Sequence, residues 1–328
     1  MQKILVIQTA FIGDAILATP VLEKLHQFYP KAQLDFLIRK GNESLFGEHP
    51  FLRKLMIWDK NKGKYKNLWN ILTQIRSEKY DLVINLQRFL ATGILTAFSG
   101  AKQKIGFSKN PLSWTFDKHF AHELGNGTHE VARNLSLISH LTDSKQIRPA
   151  LYPSTKDYEL TQKLKSEAYL CLAPTSVWFT KQFPTEKWVE FLQKQNFEGN
   201  IYLLGAKTDR ETCEQILQKS GKKNIINLAG ELNLLQSTAL MKDAIMNFVN
   251  DSAPMHLASS VNANTCAIFC STIKEFGFYP LSENATIIEY AQKLSCRPCG
   301  IHGHQACPEK HFTCGFGIEV SKMIDLIK

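Results

Sequence analysis

Short apolar runs of strand length alternate along this chain with longer stretches in which apolar residues recur at helical spacing. In the first half the runs are KILVIQ (3–8), LDFLI (34–38), KLMIW (54–58), DLVIN (81–85) and KIGF (104–107), and the helical patterns fall near 14–28, 65–77, 89–98 and 129–141. The strands are apolar throughout, the pattern of a parallel sheet covered on both faces. The first half therefore predicts a Rossmann-like α/β domain. Pro20 interrupts the first helical pattern, so that helix either kinks there or restarts with Thr19 as its cap.

The pattern lapses in LTDSKQIRPALYPSTKDY (141–158), whose prolines and mixed charge read as an interdomain connection. It resumes with AYLCLAP (168–174), NIYLLG (200–205), NIINLA (224–229), AIMNFVN (244–250), TCAIF (265–269) and ATIIEY (285–290), and with helices near 185–195, 208–218, 233–242, 253–260 and 317–327. With 328 residues the chain exceeds what one core supports, roughly 250–300, so two doubly wound α/β domains are expected, 1–155 and 156–328. Ligands of such sheets collect beyond the carboxyl ends of the strands, which makes a cleft between the two domains the expected binding site.

Composition narrows the function classes. Hydrophobic residues at 44% and charged residues at 21% exclude a disordered chain. No apolar run approaches the ~20 residues of a membrane span, and the N-terminus has no cleavage pattern, so a cytoplasmic location is expected. Lys and Arg exceed Asp and Glu by 39 to 30, a net charge of +9, which favours a polyanionic partner. Local density appears at Lys54, Lys60, Lys62, Lys64 and Lys66, and at Lys102, Lys104 and Lys109, with no nucleic-acid motif beside it. Nucleic acid is thus disfavoured against a phosphorylated substrate or an anionic membrane surface. No G-x-G-x-x-G follows a strand and no G-x-x-x-x-G-K-[ST] occurs, which removes the usual support for dinucleotide redox chemistry and P-loop phosphoryl transfer.

Three strand-to-helix turns carry candidate chemistry. In QTAFIGDAILATP (8–20), Gly13 frees the backbone and Asp14 lies at or just before a helix N-terminus, either as a plain cap or as a base. In APTSVWFTKQFPTEKW (173–188), the hydroxyls of Thr175 and Ser176 with the cation of Lys181 suit a diphosphate, or else form a solvated surface loop. In NFVNDSAPMHLASS (247–260), Asp251, Ser252 and His256 lie where a helix N-terminus would aim its amides at an anion. Capping alone accounts for Asp251 or Ser252 but not for His256.

Four of the eight cysteines fall in LSCRPCGIHGHQACPEKHFTC: Cys296, Cys299, Cys307 and Cys314, spaced C-x2-C-x7-C-x6-C, with His302, His304 and His311 among them. A four-thiolate structural zinc or iron site, a reduced metal-free loop and oxidised pairs all stay open. Cys171, Cys213, Cys266 and Cys270 lie on predicted buried elements and read as core.

In FIGDAILATPVL (11–22), YDLVINLQRFLATGILTAFSGAKQKIGF (80–107), THEVARNLSLI (128–138), WFTKQFPTEKW (178–188) and NDSAPMHLASS (250–260) the chain resembles glycosyltransferase family 9, the ADP-heptose:lipopolysaccharide heptosyltransferases. The resemblance implies a GT-B fold with an N-terminal acceptor domain and a C-terminal nucleotide-sugar domain. It implies an inverting transfer of heptose from ADP-heptose to an anionic, lipid-linked saccharide, by a protein peripheral to the inner face of the cytoplasmic membrane, with no cofactor required for catalysis. By the same resemblance Asp14 matches the general base and Lys181 the diphosphate contact. Thr175 and Ser176 match phosphate-loop hydroxyls, Asp251, Ser252 and His256 the nucleotide-contacting turn, and Asp209 a ribose-binding carboxylate. The chain departs from the family pattern at Ala253 and Thr175, where glycine is usual, and at Phe183, often tryptophan. Another donor sugar, a protein acceptor, or a non-catalytic sugar-nucleotide-binding protein are the alternatives.

Overall fold

The computed structural model describes residues 2–60 and 63–327; Lys62 of the basic stretch lies outside the described residues. The chain forms two compact units, Met1–Leu124 with Thr128–Tyr152, and Gly125–Gly127 with Pro153–Lys328.

The first unit runs β1 (Lys3–Gln8), α1 (Ile12–Leu17), α2 (Thr19–Phe28), β2 (Gln33–Arg39), β3 (Leu52–Trp58), α3 (Lys64–Glu78), β4 (Leu82–Asn85), α4 (Leu90–Ala97), β5 (Gln103–Phe107), β6 (Lys118–Phe120) and α5 (Glu130–Ser136). Its sheet has the order β3-β2-β1-β4-β5-β6 and every pairing is parallel. Ile4, Leu5, Val6 and Ile7 are all fully buried, as a strand covered on both faces requires. The strand order reverses between β1 and β4, so the loops after these two strands diverge and leave a crevice at their carboxyl ends.

Pro20 produces the restart and not the kink, since α1 ends at Leu17 and α2 takes the proline into its first turn. The cap position belongs to Ala18 and not to Thr19. The Thr19 hydroxyl instead donates to Ile16 O at 2.8 Å and accepts from Ala150 N at 2.9 Å, tying the connection to the helix junction. More of the expected linker is structured in this way: Tyr29 Oη donates to Leu141 O at 3.0 Å and Tyr152 Oη to Glu23 Oε1 at 2.8 Å, while the buried Lys24 ammonium meets Asp143. The helix expected to reach 141 ends at Ser136.

The second unit runs α6 (Thr155–Gln162), β7 (Tyr169–Ala173), α7 (Thr185–Lys194), β8 (Asn200–Leu203), α8 (Arg210–Ser220), β9 (Ile225–Asn227), α9 (Leu234–Lys242), β10 (Met246–Asn250), α10 (Ala253–Ser260), β11 (Thr265–Phe269), β12 (Ala285–Glu289), α11 (Thr313–Phe316) and α12 (Ser321–Ile324). The sheet, again parallel, has the order β12-β11-β10-β7-β8-β9 and reverses between β7 and β10. Helix α6 lies in the expected linker; Ser154 and Asp157 start it with a reciprocal capping box. The terminal helix expected over 317–327 starts only at Ser321, as α12 continued by a 3-10 turn over Asp325–Ile327, and the separate turn α11 precedes it. Gly317 sits between them against the Tyr290 ring, where an added Cβ would lie 2.4 Å from Cε2. Phe183, Trp188, Phe191 and Phe248 fill the core with Cys213, Cys266 and Cys270, and Cys171 is buried on β7. Burial pushes the Cys213 thiol up to about 12, so these thiols are packing groups and not nucleophiles.

Candidate active site

In the first unit, the polar groups at the sheet reversal are built around Asp14. It is the third residue of α1, in the first turn, while the cap position is held by Phe11 without a side-chain bond. Asp14 is therefore not the capping aspartate that its place in the sequence also allowed. It keeps partial solvent access, yet protein crowds it closely enough for desolvation to dominate its chemistry. Desolvation, with the nearby Glu130 carboxylate, raises its pKa from 3.8 to about 6, against the opposing pull of its own amide, the Phe11 amide and the Arg88 guanidinium. Glu130 is the first residue of α5 and is buried. Burial opposes its charge, but His122 Nε2 at 3.3 Å and Arg133 Nε at 2.7 Å outweigh it and hold Glu130 below the usual carboxylate range. Two acids with divergent titration thus share the site, one fixed as an anion and one poised near neutrality.

The frame around Asp14 is polar and tied down. Gln87, after β4, donates to Gln8 at the end of β1, and its amide is held by Asn85 Oδ1 at 2.9 Å. Lys60 Nζ reaches Thr9 O at 2.7 Å and Thr9 Oγ1 at 2.9 Å. That lysine braces the strand end, and Lys54 and Lys102 are bound to Glu78 and Asp81. Arg88 makes no hydrogen bond or ion pair among the described residues, which leaves a guanidinium available beside Asp14. Arg88 lies in YDLVINLQRFLATGILTAFSGAKQKIGF (80–107) and Glu130 in THEVARNLSLI (128–138), where no spacing or turn marks either as a site residue.

In the second unit, the reversal lies between β7 and β10, and Asn250 at the end of β10 bridges it. Its Oδ1 accepts from Phe183 N at 2.9 Å and its Nδ2 donates to Ala173 O and Thr175 O at 3.4 and 3.3 Å. Phe183 is a buried core ring packed edge-on to Trp188. The loop after β7 is held by its carbonyls, Ser176 O accepting from Gln182 Nε2 at 2.7 Å, while the Thr175 and Ser176 hydroxyls take no partner among the described residues. Lys181 ends a short 3-10 turn, and its ammonium lies 2.8 Å from Asp251 Oδ2. Thr272 Oγ1 donates to the same carboxylate at 2.6 Å. Asp251 is therefore the counter-ion that fixes Lys181. Ser252 precedes α10 without capping it, and His256 is buried in that helix one turn on. Asp209 follows β8, the strand beside β7, and its Oδ2 accepts from Ala206 N at 2.7 Å to close its own turn.

The cysteine-rich loop supports this site from behind. Thr180 exchanges backbone bonds with His304 and Ser271, and its hydroxyl accepts from His304 N at 2.8 Å and Ser271 Oγ at 3.0 Å. Gly303, at φ +74°, lies so close that an added Cβ would be 2.7 Å from Thr180 Oγ1 and 3.2 Å from Lys181 Cγ. Cys296, Cys299, Cys307 and Cys314 line one cavity of about 300 Å³ with His304, Glu309 and His311. Cys296 Sγ and His311 Nε2 are 3.9 Å apart. Among the described residues no three Cys, His, Asp or Glu side chains converge as a metal's ligands would.

Two doubly wound units, each with its polar groups at the point of strand reversal, are the GT-B architecture. More narrowly, the chain belongs to glycosyltransferase family 9 (heptosyltransferase), whose family model matches residues 68–311. It is 28% identical over 291 residues to lipopolysaccharide heptosyltransferase 3 of Escherichia coli K12, a match covering 83% of each chain. Its fold is similar to that of E. coli ADP-heptose LPS heptosyltransferase II, with a TM-score of 0.80 at 19% identity over 99% of this chain and 97% of that one. E. coli heptosyltransferase WaaC, solved with ADP-2-deoxy-2-fluoro heptose, matches with a TM-score of 0.73 at 15% identity over the whole of both chains. A more distant fold match, at a TM-score of 0.57 and 12% identity over 99% of this chain and 75% of that one, is the iron-containing dodecameric glycosyltransferase TibC of enterotoxigenic E. coli.

Proposed function

We propose that this protein is an inverting heptosyltransferase that moves heptose from ADP-heptose to a lipid-linked inner-core lipopolysaccharide acceptor, working as a peripheral protein at the inner face of the cytoplasmic membrane. The observation that carries the reading is Asp14, a carboxylate poised near pH 6 beside the fixed charge of Glu130. At neutral pH Asp14 is mostly ionised and is a better base than an ordinary aspartate. As the acceptor hydroxyl attacks the anomeric carbon, Asp14 takes its proton, a contribution of roughly 10²–10⁴-fold. The breaking bond leaves its electron pair on the departing ADP, and negative charge builds on the diphosphate. Lys181 and the N-terminus of α10 meet that charge, with the Thr175 and Ser176 hydroxyls donating to phosphate oxygens. Asp251 holds the ammonium in place beforehand, which limits reorganisation at the moment of transfer. Arg88 faces the anionic acceptor and His256 and Asp209 the nucleotide sugar. The spacing of the cysteine-rich loop also allows a structural zinc or iron. The donors as placed do not fit such an ion, and no step is derived through one.

The test is ADP release from ADP-heptose in the presence of a phosphorylated lipid A–inner core acceptor, for wild type and Asp14→Ala. Wild-type turnover with a large loss in the variant is expected. Equal rates remove Asp14 as base, and no turnover of any nucleotide sugar favours a binding protein on the same scaffold.

A further inference from the structure

The charge surplus belongs to one unit. The first carries 21 Lys and Arg against 12 Asp and Glu, and the second 18 of each, so the whole +9 lies in the first. On that unit α3 buries Ile71, Leu72 and Ile75 in the core and turns Tyr65 (82% exposed) and Trp69 (69% exposed), one turn apart, to solvent. From Lys64 to Ser77 the helix has no acidic residue. Lys66 and Arg76 are exposed, and Glu78 at its end is neutralised by Lys3, Arg53 and Lys54. Arg76 Nη1 donates to Phe98 O at 3.1 Å, which brings a third exposed ring beside the stripe.

Large rings left in water mark an interaction surface, and the residues among them indicate what covers it. Lysine is depleted at protein–protein interfaces, whereas tryptophan and tyrosine flanked by Lys and Arg match a bilayer's boundary, with rings at headgroup depth and cations at lipid phosphates. No described helix is long and apolar enough to cross a membrane, so such a face would bind at the interface.

We propose that the exposed face of α3, with Phe98, is the surface by which this protein docks on an anionic bilayer. The proposal rests on the reading of the acceptor as lipid-linked. Its test is co-sedimentation of the full chain with phosphatidylcholine vesicles, with and without phosphatidylglycerol. Wild type should bind only the anionic vesicles, and less so as salt rises. The double variant Tyr65→Ser/Trp69→Ser should partition more than about tenfold more weakly, and Lys66→Gln and Arg76→Gln about fivefold each. The double variant should keep its melting temperature and its turnover of a delipidated, water-soluble acceptor. Unchanged sedimentation of the double variant, or a changed oligomeric mass with vesicle binding intact, overturns the docking surface. Wild type that binds vesicles but transfers no sugar to any acceptor overturns the transferase reading and leaves the docking surface standing.

Discussion

Replacing Asp14 with asparagine should make the protein more stable and less active, with a pH dependence that identifies the cause. The folded pKa of Asp14 is raised from 3.8 to about 6, so the native state holds its proton more tightly than the unfolded chain does. Its contribution to stability is therefore fully present below about pH 4 and is lost as pH rises to about 6. A shift of about two units corresponds to roughly 3 kcal/mol. Asparagine stays neutral and escapes that loss, but it accepts more weakly from the Phe11 amide and its own, which offsets about 1 kcal/mol. The net gain expected at pH 7.5 is about 2 kcal/mol. Urea unfolding of wild type and Asp14→Asn between pH 4 and 8 measures it. If the two units unfold separately, the change belongs to the transition of the first. The difference should be small at pH 4, grow by at most about 1.4 kcal/mol per pH unit, and level off above pH 6. In parallel, wild-type kcat/KM should rise with an apparent pKa near 6, while the variant loses roughly 10²–10⁴-fold. A stability difference that is flat with pH, or activity within a few-fold of wild type, refutes the argument.

Three further outcomes follow from the same geometry. Lys181→Met should raise KM for the donor and destabilise the second unit by about 2–3 kcal/mol, because Asp251 is left buried without its cation. Adding Asp251→Asn should restore stability without restoring turnover, which denaturation and kinetics on the double variant would check. Gly303→Ala needs a left-handed backbone and a Cβ 2.7 Å from Thr180 Oγ1, so it should displace Lys181 and weaken donor binding by calorimetry while leaving a soluble fold. Glu78, bound by Lys3, Arg53 and Lys54, has its pKa lowered from 4.5 to about 2. Its stabilisation should be complete above pH 4.5 and fade as pH falls toward 2, so Glu78→Gln should cost about 2 kcal/mol at pH 7 and little at pH 2 in matched unfolding curves.

What the sequence reveals of this molecule depends on the range of the interactions involved. The central strands are legible because strands buried on both faces are apolar at every position, as Ile4–Ile7 are. Helix α6 is not legible by periodicity, since its stripe is weak and Leu160 is exposed, although Ser154 and Asp157 spell a capping box in four residues. The strand β6 is three residues long and mostly exposed, with no apolar signature to find. The same divide runs through the site. Position after a strand marks Asp14, Lys181 and Asp251 one at a time, but what each does depends on a partner far along the chain: Glu130 for Asp14, Asp251 for Lys181, and His304 for Thr180. Spacing likewise gathers the four cysteines into one segment, yet cannot show that the segment's backbone is bolted to the turn bearing Lys181. A carboxylate in the first turn of a helix has, by local rules, a lowered pKa, and would be a poor base. Only the fold, by crowding Asp14 and setting a second anion beside it, reverses that sign.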